Sequence, residues 1–228
     1  CKLSSVAGGR SGIISPIHEE ERILEMSDRV QLPFATARVL VVSDFNCPYC
    51  YTLNEWVHRL GAGARVRWVG IEHRPDLPIT GSNSQRDKDT LAREVSDVQR
   101  RAPDVDVVRP SGWINSRKAL LLQNALEDEM PEQAYRLRRA IFRAYWVEGA
   151  ELGEDELHGL VSDLKLPTVE DDPEWLDELG DWWRSELDRM PCMLAPTGIA
   201  HLGLQDFRAV KSFINSAIRA GTAGPGCR

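Results

Sequence analysis

The first third of the chain switches between a strand pattern and a helix pattern. Residues 38–45, RVLVVSDF, form a short β-branched apolar run that is typical of a buried strand. Apolar residues then recur at helical spacing from Leu53 to Leu60, and Gly61 follows where this helix ends. Residues 64–75 repeat the strand pattern. These stretches predict a strand–helix–strand unit.

Helical periodicity dominates the middle of the chain. Four amphipathic stretches between residues 115 and 187 predict helices, and a less regular stretch at 86–101 predicts one more. The strand pattern returns at 191–202, where Ala195-Pro196-Thr197-Gly198 fits a type I turn between two short strands. An amphipathic helix then begins near Asp206.

This order predicts an α/β fold in which a large all-helical insertion interrupts the core. The predicted regions are an N-terminal extension (1–37), a core (38–78 and 188–221), an inserted helical domain (79–187) and a flexible C-terminal tail (222–228).

Composition and charge narrow the class of protein. Of the 228 residues, 42% are hydrophobic and 28% are charged, which is typical of a globular protein. The formal net charge of −7 argues against a nucleic-acid partner, because phosphate binding needs concentrated Lys and Arg. No apolar run is long enough to predict a transmembrane segment.

The chain contains five cysteines, an odd number that does not resemble the framework of a small disulfide-rich secreted domain. No signal peptide is visible, and a cytoplasmic location is the expectation. The sequence starts at Cys1, however, and a lipoprotein carries its lipid on such an N-terminal cysteine. An exported or lipid-anchored form stays as the alternative.

The candidate chemistry lies between the first strand and the first helix, where Cys47-Pro48-Tyr49-Cys50 forms a CxxC motif. A helix N-terminus favours the thiolate form of cysteine, so Cys47 is expected to be exposed and reactive. Cys50 would lie one turn further on, more buried, and able to close a disulfide with Cys47. A structural zinc site would need a second pair of ligands, which the sequence lacks. A permanent disulfide across so short a loop would stabilise the fold only a little. The motif favours redox chemistry with no metal, over a zinc site or a structural disulfide.

The chain resembles the DsbA-like branch of the thioredoxin superfamily, and more narrowly the FrnE-like proteins, which are related to 2-hydroxychromene-2-carboxylate isomerase and kappa-class glutathione transferase. The resemblance is carried by SDFNCPYCY (43–51), RVRWVGIEHRPDLP (65–78), NSRKALLLQNALED (115–128), the segment 137–161 and GLQDFRAVKSFI (203–214). It implies a thioredoxin fold with a large all-helical insertion and no cofactor beyond a redox-active disulfide. The isomerase and transferase relatives typically have serine at the first motif position. Cys47 therefore favours thiol–disulfide exchange.

The resemblance also implies a cis-proline opposite the CxxC motif. Pro191 is preferred over Pro196, since the turn already accounts for Pro196. Met190 would then present its backbone to an incoming substrate chain. Cys192 would lie close to the redox pair, either as an inert buried residue or as a third redox sulfur.

Asp44 and Glu72 are candidates for moving the proton of Cys50, with surface carboxylates as the alternative interpretation. His58, His73 and His201 receive no predicted role.

Together these residues predict a thiol–disulfide oxidoreductase that works through a mixed disulfide. Its partners would be a protein or small-molecule thiol or disulfide substrate and a recycling redox protein. Two alternatives stay open. The first is a glutathione-dependent isomerase or transferase, with glutathione as co-substrate. The second is a non-catalytic binding module on the same fold.

Overall fold

The computed structural model describes residues 39–187 and 189–222. Within them, a four-stranded sheet has the order β2-β1-β3-β4. The strands are β1 (Val39–Ser43), β2 (Val66–Gly70), β3 (Cys192–Leu194) and β4 (Ala200–Leu202). Strand β1 runs parallel to β2 and antiparallel to β3, and β3 pairs antiparallel with β4.

Seven α-helices accompany the sheet in the part of the chain that the structure describes. They are α1 (Pro48–Arg59), α2 (Gln85–Arg101), α3 (Arg117–Glu129), α4 (Pro131–Trp146), α5 (Glu154–Asp163), α6 (Pro173–Glu186) and α7 (Phe207–Thr222). Helices α2 to α6 all lie between β2 and β3 in the sequence, as the α/β interpretation with a helical insertion predicts.

Helix α1 begins and ends at the residues that its sequence predicts. Pro48 occupies the first helical turn, where its missing N–H is not needed. Gly61 has a φ of +59°, and its N–H donates to the carbonyl of His58 while the N–H of Ala62 donates to that of Val57. These two bonds form a Schellman motif, which satisfies the last carbonyls of the helix. The predicted strand–helix–strand unit is thereby confirmed, together with the start and the end of its helix.

The two faces of the sheet bury different apolar clusters, because successive side chains on a strand point to opposite faces. Val39, Val41, Trp68 and Met193 belong to the larger cluster, which includes apolar residues of helices α1 to α4 and α7. The second cluster combines the alternate strand positions with residues of helix α6: Leu40, Val42, Val69, Cys192 and Leu194 with Leu179, Trp182 and Trp183.

The carboxyl-terminal hairpin and helix also follow the sequence prediction. The N–H of Gly198 donates to the carbonyl of Ala195 at 2.9 Å, which closes the predicted turn. Asp206 caps α7, since its side chain accepts from the N–H of Ala209 at 2.9 Å.

Some predicted boundaries differ from the structure. Strand β2 ends at Gly70 rather than near residue 75, because Glu72 and His73 turn out of the ladder to bond with Arg117 and Asp44. The predicted extension 1–37 lies outside the described residues, as does the predicted tail after residue 222. The boundaries of the inserted domain stay a prediction.

Candidate redox site

Cys47 and Cys50 occupy the first turn of helix α1. Cys47 is the N-cap residue, and its Sγ accepts a hydrogen bond from the backbone N–H of Cys50 at 3.4 Å. Its residue surface is 4% exposed, against 0% for Cys50. The expectation that Cys47 would be exposed is therefore wrong, although Cys47 is slightly more exposed than Cys50. The sulfur is turned towards the N–H groups of its own helix, and both cysteines belong to the larger apolar cluster.

The environment of Cys50 keeps its sulfur protonated. Burial raises the pKa of the Cys50 thiol well above its ordinary value, and the hydrogen bond and charge of Cys47 raise it further. A hydrogen bond with the backbone of Asp44 lowers this pKa, and the negative charge of the Asp44 carboxylate raises it by a smaller amount. A reaction that uses the Cys50 thiolate therefore has to provide a place for its proton.

Asp44 follows β1 directly and has no exposed surface. Its Oδ1 accepts from the N–H of Asn46 at 3.1 Å, and its Oδ2 accepts from the N–H of His73 at 3.1 Å. Burial by itself raises the pKa of Asp44, but the charge and hydrogen bonds of His73, together with bonds from Ser116 and Asn46, outweigh it and hold the pKa below its usual value. Asp44 is thus held ionised, and its charge reaches the Cys50 thiol.

His73 is a residue of this site that the sequence analysis missed. Its Nδ1 lies 2.6 Å from Oδ2 of Asp44, and its side chain is 18% exposed. A signal existed, because β1 and β2 are parallel and Ser43 pairs with Gly70. Residues just past the carboxyl ends of neighbouring parallel strands come together at one edge of the sheet.

Glu72 lies next to His73, but its carboxylate is bonded elsewhere. Arg117 donates to Oε2 of Glu72 at 2.6 Å and also pairs with Asp177 of helix α6 at 2.6 Å. Burial raises the pKa of Glu72, although the hydrogen bond and charge of Arg117 oppose the rise. Glu72 therefore connects β2 to helices α3 and α6. Its predicted role in proton transfer stays untested.

Asn46, the residue before Cys47, is a second contact that the sequence did not reveal. Its Nδ2 donates to the carbonyl of Ile114 at 2.7 Å, and its Oδ1 accepts from the N–H of Ile114 at 3.2 Å. All of these groups are buried. This pair of bonds, which we call the Asn46 clamp, attaches the redox loop to the segment before helix α3.

Tyr49, inside the motif, contacts the helical insertion. Its hydroxyl donates to Oδ2 of Asp97 in α2 at 3.1 Å. Helix α2 therefore lies beside the first turn of α1, close to the cysteine pair.

The peptide bond between Met190 and Pro191 is cis, at the proline that the sequence analysis preferred over Pro196. Cys192 follows it but belongs to the second apolar cluster, where it pairs with Val42. Cys47 and Cys50 belong to the larger cluster on the other face of the sheet. The strand register therefore contradicts the expected closeness of Cys192 to the redox pair, because the side chain of Cys192 points towards helix α6.

No group of three or more His, Cys, Asp and Glu side chains that could hold a metal ion occurs within residues 39–187 and 189–222. Over the same residues, no helix is both long enough and apolar enough to cross a bilayer.

Comparisons with known proteins agree with this fold. The family model of the DsbA-like thioredoxin domain matches residues 38–170. Among solved structures, 2-hydroxychromene-2-carboxylate isomerase is similar at 20% identity and a TM-score of 0.59, over 81% of this chain and 97% of that one. A probable DsbA oxidoreductase from Streptomyces coelicolor is similar at 15% identity and a TM-score of 0.55, over 79% and 89% of the two chains. A linker-deletion mutant of ScsC from Proteus mirabilis is similar at 13% identity and a TM-score of 0.51, over 90% and 85%.

No curated protein sequence matched the chain. The structural similarities show the fold, and they confirm the predicted thioredoxin fold with a helical insertion. The family model covers more than half of the residues and includes the CxxC motif. The chain belongs to the DsbA-like thioredoxin domain family.

Proposed function

We propose that this protein is a thiol–disulfide oxidoreductase that works through the Cys47-Pro48-Tyr49-Cys50 pair. The observation that carries the proposal is the N-cap position of Cys47, whose Sγ receives the N–H of Cys50. Such a hydrogen bond and the positive end of the helix dipole stabilise a thiolate over a thiol. Cys50 is fully buried, and burial raises the pKa of its thiol well above the ordinary value. This asymmetry supports attack on the substrate by Cys47 and resolution by Cys50.

The reaction has two steps. The Cys47 thiolate attacks one sulfur of a substrate disulfide, forms a mixed disulfide and releases the other sulfur as a thiolate. Cys50 then loses its proton and attacks Sγ of Cys47, so that the Cys47–Cys50 disulfide forms and the second substrate sulfur leaves. The same steps run in reverse when the oxidised pair accepts a substrate thiol.

Asp44 is the group proposed to accept the proton of Cys50. It is ionised, buried, and close enough for its charge to act on the Cys50 thiol. A general base of this kind typically contributes about 10²–10⁴-fold to a rate. Glu72 is the weaker candidate, since Arg117 already occupies its carboxylate.

As the family resemblance implies, the substrate is proposed to bind beside Met190 and Pro191, where the backbone of Met190 would pair with an extended chain as in β-strand addition. The partners are a protein or small-molecule thiol or disulfide substrate and a redox protein that regenerates the pair. No cofactor beyond the cysteines enters these steps.

An insulin-reduction assay with dithiothreitol tests the proposal. We expect Cys47→Ser to abolish activity, because it removes the attacking sulfur. Cys50→Ser should accumulate the mixed disulfide, detectable by mass spectrometry of the intact protein. Cys192→Ala is the matched control and should keep the wild-type rate, since this sulfur lies on the other face of the sheet.

Two results would change the assignment. Undiminished activity of Cys47→Ser would refute exchange at this pair. Glutathione-dependent turnover that survives Cys50→Ser would favour the isomerase or transferase alternative, which needs only the first motif position.

A further inference from the structure

His73 is the group that connects the buried end of the redox site to the surface. Asp44 is 0% exposed, whereas the imidazole of His73, 2.6 Å away through Nδ1, is 18% exposed. The backbone N–H of His73 donates to the same carboxylate oxygen at 3.1 Å, so the ring is held in place by its own main chain. One side of the imidazole therefore contacts Asp44 while part of its surface reaches solvent.

The chemistry of Cys50 requires such a connection. Its thiol is completely buried and must release a proton each time it resolves a mixed disulfide. Asp44 can take that proton but, being buried itself, must pass it on before the next cycle. Among the other groups that bond the Asp44 carboxylate, Asn46 contributes a backbone N–H and Ser116 a buried hydroxyl, and neither group titrates near neutral pH. An imidazole is the side chain suited to transfer protons at that pH.

We propose that His73 relays protons between Asp44 and solvent during the Cys50 step. This inference rests on the proposed thiol–disulfide exchange and adds a residue to it. His73 acts through Asp44 and does not touch the reacting sulfurs.

The step balances as follows. The Cys50 thiol gives its proton to the Asp44 carboxylate, and the resulting thiolate attacks Sγ of Cys47 in the mixed disulfide. The bond between Cys47 and the substrate sulfur breaks, the Cys47–Cys50 disulfide forms, and the substrate leaves as a thiolate with the electron pair. The Nδ1–H of the imidazole donates to Asp44 while that carboxylate is ionised. Once Asp44 holds the proton of Cys50, the ring moves its own proton from Nδ1 to Nε2 by exchange with water, and Nδ1 accepts the proton of Asp44. Nε2 then releases its proton to water, which restores the starting tautomer. The reverse reaction uses the same route for proton uptake.

Other charged groups also face the imidazole. Glu94 of helix α2 lies near enough for the charge of His73 to lower its pKa, although burial is the larger effect and raises it. Arg74 follows His73 in the chain, stacks on the ring of Trp113 at 4.1 Å and lies 3.8 Å from Asp87 of α2. Glu72, on the other side, is paired with Arg117 of α3. Of these groups, Asp44 is the one that hydrogen-bonds the imidazole, so the relay runs through this pair.

The alternative is that His73 only holds Asp44 in position, and His73→Asn separates the two roles. The amide nitrogen of asparagine stands near the place of Nδ1 and can still donate to Asp44, but it cannot accept a proton and pass it on. The matched control is His158→Asn, a histidine that lies exposed on helix α5.

The test is a stopped-flow reaction of the reduced protein with a symmetric aryl disulfide whose thiolate product is coloured. The first phase, formation of the mixed disulfide at Cys47, depends on reagent concentration. The second phase, release of the remaining aryl thiolate by Cys50, does not. We expect His73→Asn to leave the first phase unchanged and to slow the second about 10²-fold, the lower range for general acid–base catalysis. Added imidazole should restore the second phase in proportion to its concentration, and His158→Asn should match the wild type.

Three results would overturn the relay. These are an unchanged second phase in His73→Asn, a slow second phase that imidazole does not restore, and wild-type phases that respond equally to D₂O. The D₂O comparison needs no substitution, so it tests the relay even if His73→Asn fails to fold. A wild-type protein that shows no second phase at all would instead refute the proposed exchange.

Discussion

The Asn46 clamp is predicted to be a main source of stability for the redox loop, and Asn46→Ala tests it. The substitution removes the donor to the carbonyl of Ile114 and the acceptor of its N–H, at 2.7 and 3.2 Å. Both backbone groups are buried and would be left without these partners. The methyl side chain of alanine has no hydrogen-bond donor or acceptor that could replace those of asparagine.

The expected loss in the free energy of unfolding follows from these two backbone groups. An orphaned buried backbone donor or acceptor costs about 1–3 kcal/mol, so the pair should lower the free energy of unfolding by about 2–6 kcal/mol. That is a large share of a total stability of roughly 5–15 kcal/mol. In a chain of this size, each kcal/mol corresponds to roughly 2–4 °C in Tm, so a fall of at least about 4 °C is expected.

Urea unfolding followed by circular dichroism measures the change directly, with calorimetry for Tm. Asn83→Ala is the matched control because this asparagine is exposed, and it should lie within about 0.5 kcal/mol of the wild type. If Asn46→Ala is no less stable than Asn83→Ala, the reasoning is wrong and the clamp contributes nothing to stability.

Three further predictions concern the helical insertion and the face of the sheet that packs against helix α6. Arg138→Met should lower the free energy of unfolding by about 3–5 kcal/mol, because it removes the ion pair of Glu127, a carboxylate 3.3 Å away and 4% exposed. The hydrogen bonds that Glu127 keeps, from Trp68 and Gln123, carry no compensating charge. Burial already raises the pKa of Glu127 in the folded state, and loss of the guanidinium raises it further in the variant. The stability loss should therefore be full above the raised pKa of the variant and should shrink as pH falls from there to the pKa of the wild type. A loss independent of pH would contradict this. Glu72→Gln should lower the free energy of unfolding by about 1–3 kcal/mol, because it weakens the bond to Arg117. The exchange rate in the insulin assay should stay unchanged. A lower rate would instead support Glu72 as a proton carrier. Peptide mapping after mild oxidation should find Cys192 unlinked to either motif cysteine, whereas a mixed bridge would support the third redox sulfur.

Much of the redox motif could be predicted from neighbouring residues alone. Pro48 at the first turn, Gly61 after the last turn and the turn at residues 195–198 all depend on interactions within a few positions of the chain. Short-range patterns of this kind are visible in one sequence, so the strand–CxxC–helix junction and the N-cap position of Cys47 followed from it. The cis-proline at residue 191 was a different case, because it was expected from a family resemblance.

The partners of the motif lie far away in the chain and depended on the tertiary structure. His73 bonds Asp44 across 29 positions, and Asn46 bonds Ile114 across 68. No periodicity links such residues, since the parallel pairing of β1 with β2 and the return of the chain before α3 bring them together.

The sequence by itself determined that two cysteines begin a helix after a buried strand, since caps, turns and apolar spacing act locally. Only the tertiary structure decided what surrounds them. The side chains of a strand alternate between faces, so the register of β3 against β1 alone determines where Cys192 points. That register pairs Cys192 with Val42, places it against helix α6 and leaves Met193 on the face of Cys47 and Cys50. A shift of one residue would reverse this placement, and nothing in the local sequence specifies it.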